Sequence, residues 1–136
     1  VKSAKFIQAF SKVGLIPDAG GTLFLPQLLG TQRAMGLAFF AQPVSATQAE
    51  EWGLIWKCIE DDKVTETIEE LHQFLFNAPT KALAATKQAI YASSSNTLNE
   101  QLALEAMLQR QMGMTKDYRE GVSAFSEKRS PNFSGE

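Results

Sequence analysis

Only two stretches of this chain read as β-strand, and two short strands do not make an independently stable sheet. Residues 3–10, SAKFIQAF, place Ala4 and Phe6 on one face before Ile7, Ala9 and Phe10 make the pattern two-sided. Residues 54–59, LIWKCI, form the second apolar run. Nearly everything else has helical spacing. Such a strand pair needs partners, and the chain opens at Val1 with no cap or turn before its first strand. The expectation is that residues upstream are missing.

Between the two strands lies a dense set of backbone signals. In LIPDAGGT, Pro17 fixes its own φ, and Gly20 and Gly21 permit a left-handed or close-packed turn. A short helix should run through Thr22–Leu29 and stop at Gly30. Thr31 opens a second helix with Ala34, Leu37, Ala38 and Phe40 on its apolar surface. Ser45 and Gln48 have capping-box spacing for a third helix, which Gly53 ends.

The remainder is helical. Val64, Ile68, Leu71 and Leu75 give residues 62–77 one apolar stripe, and Pro79 suits the start of the next helix. Thr97 and Glu100 form another capping box. Behind it, Leu98, Leu102, Leu104, Leu108 and Met112 load more than one face, so that helix needs more than one neighbour. A last helix should cover about 116–128, with Tyr118, Val122 and Phe125 aligned and Pro131 as its stop.

Composition closes off several function classes. With 136 residues, 44% hydrophobic and a net charge of -2, the chain can build a core and carries no basic footprint for nucleic acid or anionic membrane. No run is long enough to span a bilayer, so a soluble, cytoplasmic protein is expected. The single cysteine, Cys58, sits in an apolar run and reads as an inert buried thiol in a reducing compartment. His72 has no second His or Cys with it, so no metal site is expected. Gly20-Gly21 lacks both the Walker and the dinucleotide pattern and is read as a turn.

The order of strand, GLIPDAGGT, small helix, TQRAMGLA, SATQAEEWGLI and finally REGVSAFSEKRSPNF resembles the second half of the enoyl-CoA hydratase/isomerase (crotonase) family along essentially the whole chain. The likeness is strongest to the branch that isomerises ring-epoxidised phenylacetyl-CoA in phenylacetate breakdown. It implies an α/β, crotonase-like spiral of ββα turns, here a mostly helical C-terminal fragment with two short strands. On that basis residues 1–60 would end the spiral core, and residues 61–136 would form a helical region that builds homotrimers, often stacked as hexamers. The substrate would be an acyl-CoA thioester, with no separate cofactor.

Asp18 is the sharpest residue. In isomerases of the family an Asp or Glu near this turn moves a proton between carbons of the acyl group. That chemistry needs a carboxylate in a cavity dry enough to raise its basicity, and two backbone N–H donors to hold the enolate oxygen. The alternative is that Asp18 caps the helix that follows. Phe10 stands where family hydratases carry one of two water-managing glutamates. A phenyl ring cannot activate water, so the two-carboxylate hydration is disfavoured and the ring would dry the pocket. Plain core packing of Phe10 is compatible with this. Phe125 and Lys128 match family positions that contact the CoA adenine and 3′-phosphate, commonly from a neighbouring subunit, although a Lys there also suits a helix C-terminus. The leading expectation is an acyl-CoA isomerase. The alternatives are an enoyl-CoA hydratase, or an inert helical assembly fragment whose oxyanion-hole half is missing.

Overall fold

The computed structural model describes residues 1–136. Contacts divide the chain into two compact units, Val1–Thr67 and Ile68–Glu136.

In the first unit, β1 (Lys5–Phe6) pairs antiparallel with β2 (Val44–Ser45), setting Lys5 opposite Ser45 and Phe6 opposite Val44. The Ala46 N–H extends the pairing by donating to the Ala4 carbonyl at 3.1 Å. The two-strand count is as expected, but only the first strand lies within its expected span. The strand expected over 3–10 keeps only two residues before bending into a 3-10 helix, Ala9–Val13, which Gly14 closes at φ 73°. Residues 54–59 form no strand at all. Their backbone is taken up by the end of α3 (Ala46–Glu51): Leu54 and Ile55 N–H donate to the Ala49 carbonyl at 2.8 and 3.3 Å, and Cys58 N–H donates to the Glu50 carboxylate at 2.8 Å. An apolar, β-branched run makes a strand only when a free edge lies beside it.

Two further helices build the core of this unit. α1 (Gly21–Leu29) and α2 (Thr31–Phe40) are separated by Gly30, in left-handed backbone at φ 77°. Leu25 and Leu29 of α1 meet Ala34 and Leu37 of α2, Val44 and Ala49, with Trp52, Leu54 and Ile55 packed against them. Phe40 departs from its expected apolar face and stands exposed. At Ser45 only half of the capping box forms, the side chain accepting from the Gln48 N–H at 3.2 Å.

A 3-10 turn, Asp61–Lys63, leads into α4 (Val64–Phe76), most of which belongs to the second unit. Its apolar stripe, Ile68, Leu71 and Leu75, is exposed. α5 (Thr80–Ala92) and α6 (Leu98–Met112) follow. The Thr97–Glu100 box is complete: Thr97 N–H donates to the Glu100 carboxylate at 2.7 Å, and Glu100 N–H to Thr97 Oγ1 at 3.4 Å. Gln101 then ties α6 to α5 by donating to the Ala89 carbonyl at 3.1 Å.

α7 (Lys116–Glu127) starts at a Thr115 cap and ends on Lys128, left-handed at φ 54°. Pro131 is therefore not the stop, because the helix has already closed when Lys128 N–H turns back to the Ala124 and Phe125 carbonyls. The last residues then return along α7. The buried carboxylate of Asp117 accepts from Ser134 N–H at 2.7 Å, Ser134 Oγ at 3.3 Å and Gly135 N–H at 3.0 Å. The Glu136 carbonyl accepts from Lys116 and Asp117 N–H at 2.9 and 3.2 Å, and the Lys116 and Glu136 side chains form an ion pair. Midway, Glu120 receives two bonds from Arg129, at 2.5 and 3.0 Å, and one from Asn132 N–H at 2.8 Å.

This latch generates two predictions. Asp117→Ala removes the charged acceptor of the Ser134 and Gly135 N–H groups, so it should cost about 1–3 kcal/mol, read from urea unfolding of the chain. Arg129 beside Glu120, helped by Asn132 N–H, holds the Glu120 carboxyl down to about 2 from 4.5. A depressed carboxyl contributes its stability above the unfolded value and loses it as pH falls through the folded one. The protection of the Asn132 amide against hydrogen exchange, relative to its intrinsic rate at each pH, should thus fall on acidification from 4.5 towards 2, and Glu120→Gln should remove that acid response.

Candidate active site

Each proposed site residue sits on a backbone feature that its local sequence explains. Phe10 lies inside the 3-10 helix, half-buried, and not at a strand end as expected. Leu15 N–H donates to the Phe10 carbonyl at 3.0 Å, so the loop to Pro17 starts from that ring's own backbone. Beyond Pro17 and Asp18, two successive residues are left-handed: Ala19 at φ 50° and Gly20 at φ 82°. For alanine this conformation costs about 1–3 kcal/mol. A Cβ at Gly20 would also fall 2.7 Å from the Phe24 ring, which would have to shift to admit it.

The reversal settles the capping alternative for Asp18. Gly20 occupies the N-cap of α1, and no side chain caps that helix. What Asp18 contributes is its backbone carbonyl, which accepts the Gly21 N–H at 2.8 Å. Two left-handed residues between Asp18 and the helix carry its carboxylate away from the N–H groups a cap must meet. The carboxylate is exposed, and its neighbours in sequence, Leu15 and Ile16 before it and Leu23 and Phe24 after it, are exposed apolar side chains. The dry cavity expected around the base is not closed by these residues themselves.

Phe125 and Lys128 stand a turn apart at the end of α7, with Lys128 N–H donating to the Phe125 carbonyl at 3.3 Å. Phe125 is 87% exposed, and Lys128 is exposed too. Arg129, the next cation, is engaged by Glu120 and Glu127. Phe125 also lines an open groove of about 1070 Å³ within the second unit, walled by Ala82, Ala89, Leu102, Tyr118, Val122 and Phe133 among others. Phe10 and Asp18 belong to the first unit, and Phe125 and Lys128 to the second. No group of three or more His, Cys, Asp or Glu side chains could hold a metal ion.

Sequence reasoning passed over Asp117, the one buried charged residue. Its signal was available: it lies in the first turn after a Thr115 cap, where the helix dipole favours a carboxylate.

The whole chain, residues 1–136, matches the family Enoyl-CoA hydratase/isomerase. The chain belongs to that family. It is 52% identical over 134 residues to 1,2-epoxyphenylacetyl-CoA isomerase of Escherichia coli (strain K12), covering 98% of this chain and 51% of that protein. It is also 32% identical to 2,3-dehydroadipyl-CoA hydratase of the same organism, covering 98% and 52%. Among solved structures, an enoyl-CoA hydratase from Bacillus anthracis superposes with a TM-score of 0.92 at 32% identity, covering 99% of this chain and 52% of that one. A subunit of the Geobacillus kaustophilus HTA426 enzyme superposes at 0.94 with 30% identity, again covering 99% and 52%. The fold is crotonase-like, mostly helical with two short strands. The chain spans about half the length of these relatives. No helix is long and apolar enough to cross a membrane.

The turn geometry makes a comparative prediction. Gly14 and Gly20 are both left-handed, but a Cβ at Gly14 would meet nothing within 4 Å. Gly14→Ala should cost about 1–2 kcal/mol from backbone alone. Gly20→Ala should cost more, because Phe24 must also move; equal urea midpoints for the two variants would contradict the contact.

Proposed function

We propose that this chain is the Asp18-bearing part of an acyl-CoA isomerase, in which the Asp18 carboxylate moves a proton between carbons of an unsaturated or aryl acyl thioester. The 52% identity to an epoxyphenylacetyl-CoA isomerase supports this reading and makes rearrangement of a ring epoxide its preferred form. A carboxylate that makes no cap bond is available as a base, and the thioester oxygen becomes an enolate only where two N–H donors receive it. The donors would come from outside these 136 residues, as would the walls that dry the site. Phe10 supports isomerisation over hydration, because a phenyl ring offers nothing to orient or deprotonate water.

Phe125 would stack on the CoA adenine, and Lys128 would meet its 3′-phosphate as an unengaged point charge. Homotrimers or hexamers would bring these residues to a neighbouring site. The acyl-CoA is the substrate, and no further cofactor enters the scheme. Hydration remains the second reading because a 32%-identical relative is a hydratase.

Three substrates given in parallel to the whole protein separate these readings: ring-epoxidised phenylacetyl-CoA, a 3-enoyl-CoA and crotonyl-CoA. Isomerisation should dominate, and Asp18→Asn should lower it by about 10²–10⁴-fold, the usual worth of a positioned acid/base. Fast hydration of crotonyl-CoA would overturn the reading of Phe10. The purified 136-residue chain should turn over none of the three.

A further inference from the structure

Lys128 closes α7 in left-handed backbone at φ 54°, a position where helices commonly end on a glycine. A residue with a Cβ is strained in that region, so its surroundings must hold it there. They do so from two sides. Lys128 N–H donates to the Phe125 carbonyl at 3.3 Å, and Arg129 N–H reaches the Ala124 carbonyl at 3.0 Å. The Arg129 side chain then grips the same helix. Its Nη1 and Nη2 donate to the two Glu120 oxygens at 2.5 and 3.0 Å, and its Nε donates to Glu127 at 2.6 Å. Glu120 is fixed in turn by Asn132 N–H at 2.8 Å, from the chain beyond the helix. The residue that follows Lys128 is therefore bonded to α7 through both its backbone and its guanidinium.

An isolated surface ion pair contributes little, but a bidentate guanidinium shared between two carboxylates fixes geometry as well as charge. Here the geometry it fixes is that of Lys128. The lysine leaves the left-handed region only if Arg129 moves, and Arg129 moves only if its fork to Glu120 opens. Glu127, the residue before Lys128, has its own carboxylate bonded to Arg129. With its carboxyl held down to about 2, Glu120 is charged at neutral pH and the fork is intact there. We infer that Glu120 and Arg129 are positioning residues for Lys128: their fork holds the left-handed turn that fixes where the lysine leaves the helix, and so where a ligand phosphate is met. This rests on Lys128 meeting the 3′-phosphate of CoA, and it adds two residues that act through that lysine.

Binding of CoA and of 3′-dephospho-CoA to the whole protein, measured by calorimetry, tests this without requiring turnover. Lys128→Ala should lower the preference for CoA about fivefold, the upper range for an exposed ion pair. Glu120→Gln should lower it about threefold, through CoA alone, with 3′-dephospho-CoA bound as before. The sign is decisive. By charge alone, removing a carboxylate favours an anionic ligand, so a Glu120 that acted only through its field would give a higher preference in the variant. Arg129→Lys keeps the charge and loses the fork; it should act as Glu120→Gln does, and it takes that variant's place if Glu120→Gln does not fold. If Lys128→Ala lowers the preference but the other two leave or raise it, or weaken both ligands alike, the positioning role is wrong and the lysine keeps its phosphate. If Lys128→Ala leaves the preference intact, the phosphate contact itself falls, and the roles of Glu120 and Arg129 fall with it.

Discussion

Two consecutive residues in left-handed backbone, Ala19 at φ 50° and Gly20 at φ 82°, turn the chain from the Phe10 segment into α1. Asp18 stands two residues before the Gly20 N-cap; its backbone carbonyl meets Gly21, and its side chain is exposed and makes no cap bond. A Cβ at the second position would displace the Phe24 ring, and the left-handed backbone there favours glycine. The same reversal sets the line of α1, and with it the meeting of Leu25 and Leu29 with Ala34 and Leu37. Site geometry and core packing of the first unit therefore have one origin.

A second constraint is the amount of apolar surface left open. Val13, Leu15, Ile16 and Phe24 surround the turn in sequence, and Phe39 and Phe40 end α2 exposed. In the second unit the stripe of α4 and Tyr118, Val122 and Phe125 of α7 are exposed as well. Contiguous apolar patches of this kind are contact surfaces in stable proteins. The chain spans about half the length of the family members it matches.

Local signals were the legible part of the sequence. Gly30, the Thr97–Glu100 pair and Pro79 marked helix boundaries within a residue or two, since capping is decided by atoms three or four residues apart. The family was legible for a similar reason, its motifs being short and in fixed order. Pairing was not. The 54–59 run has the composition of a strand but meets the end of α3, while the Val44–Ser45 segment, with no strand pattern at all, meets β1. Phe10 followed the same rule: its apolar neighbours suggested a strand, and without a partner beyond Phe6 the backbone closed on itself as a 3-10 helix.

Composition, capping residues and motif order were enough to determine the helices, their approximate limits, the crotonase-like class and the choice of Asp18 and Phe10 as the residues to question. Tertiary structure alone decided which strands pair, that Asp18 is no cap, and that Asp117 is buried beneath the returning tail. The division has a physical basis. Bonds between residues close in sequence depend on side-chain type and spacing, which can be read directly. Bonds between distant segments depend on which edges and cavities remain free once the helices have packed.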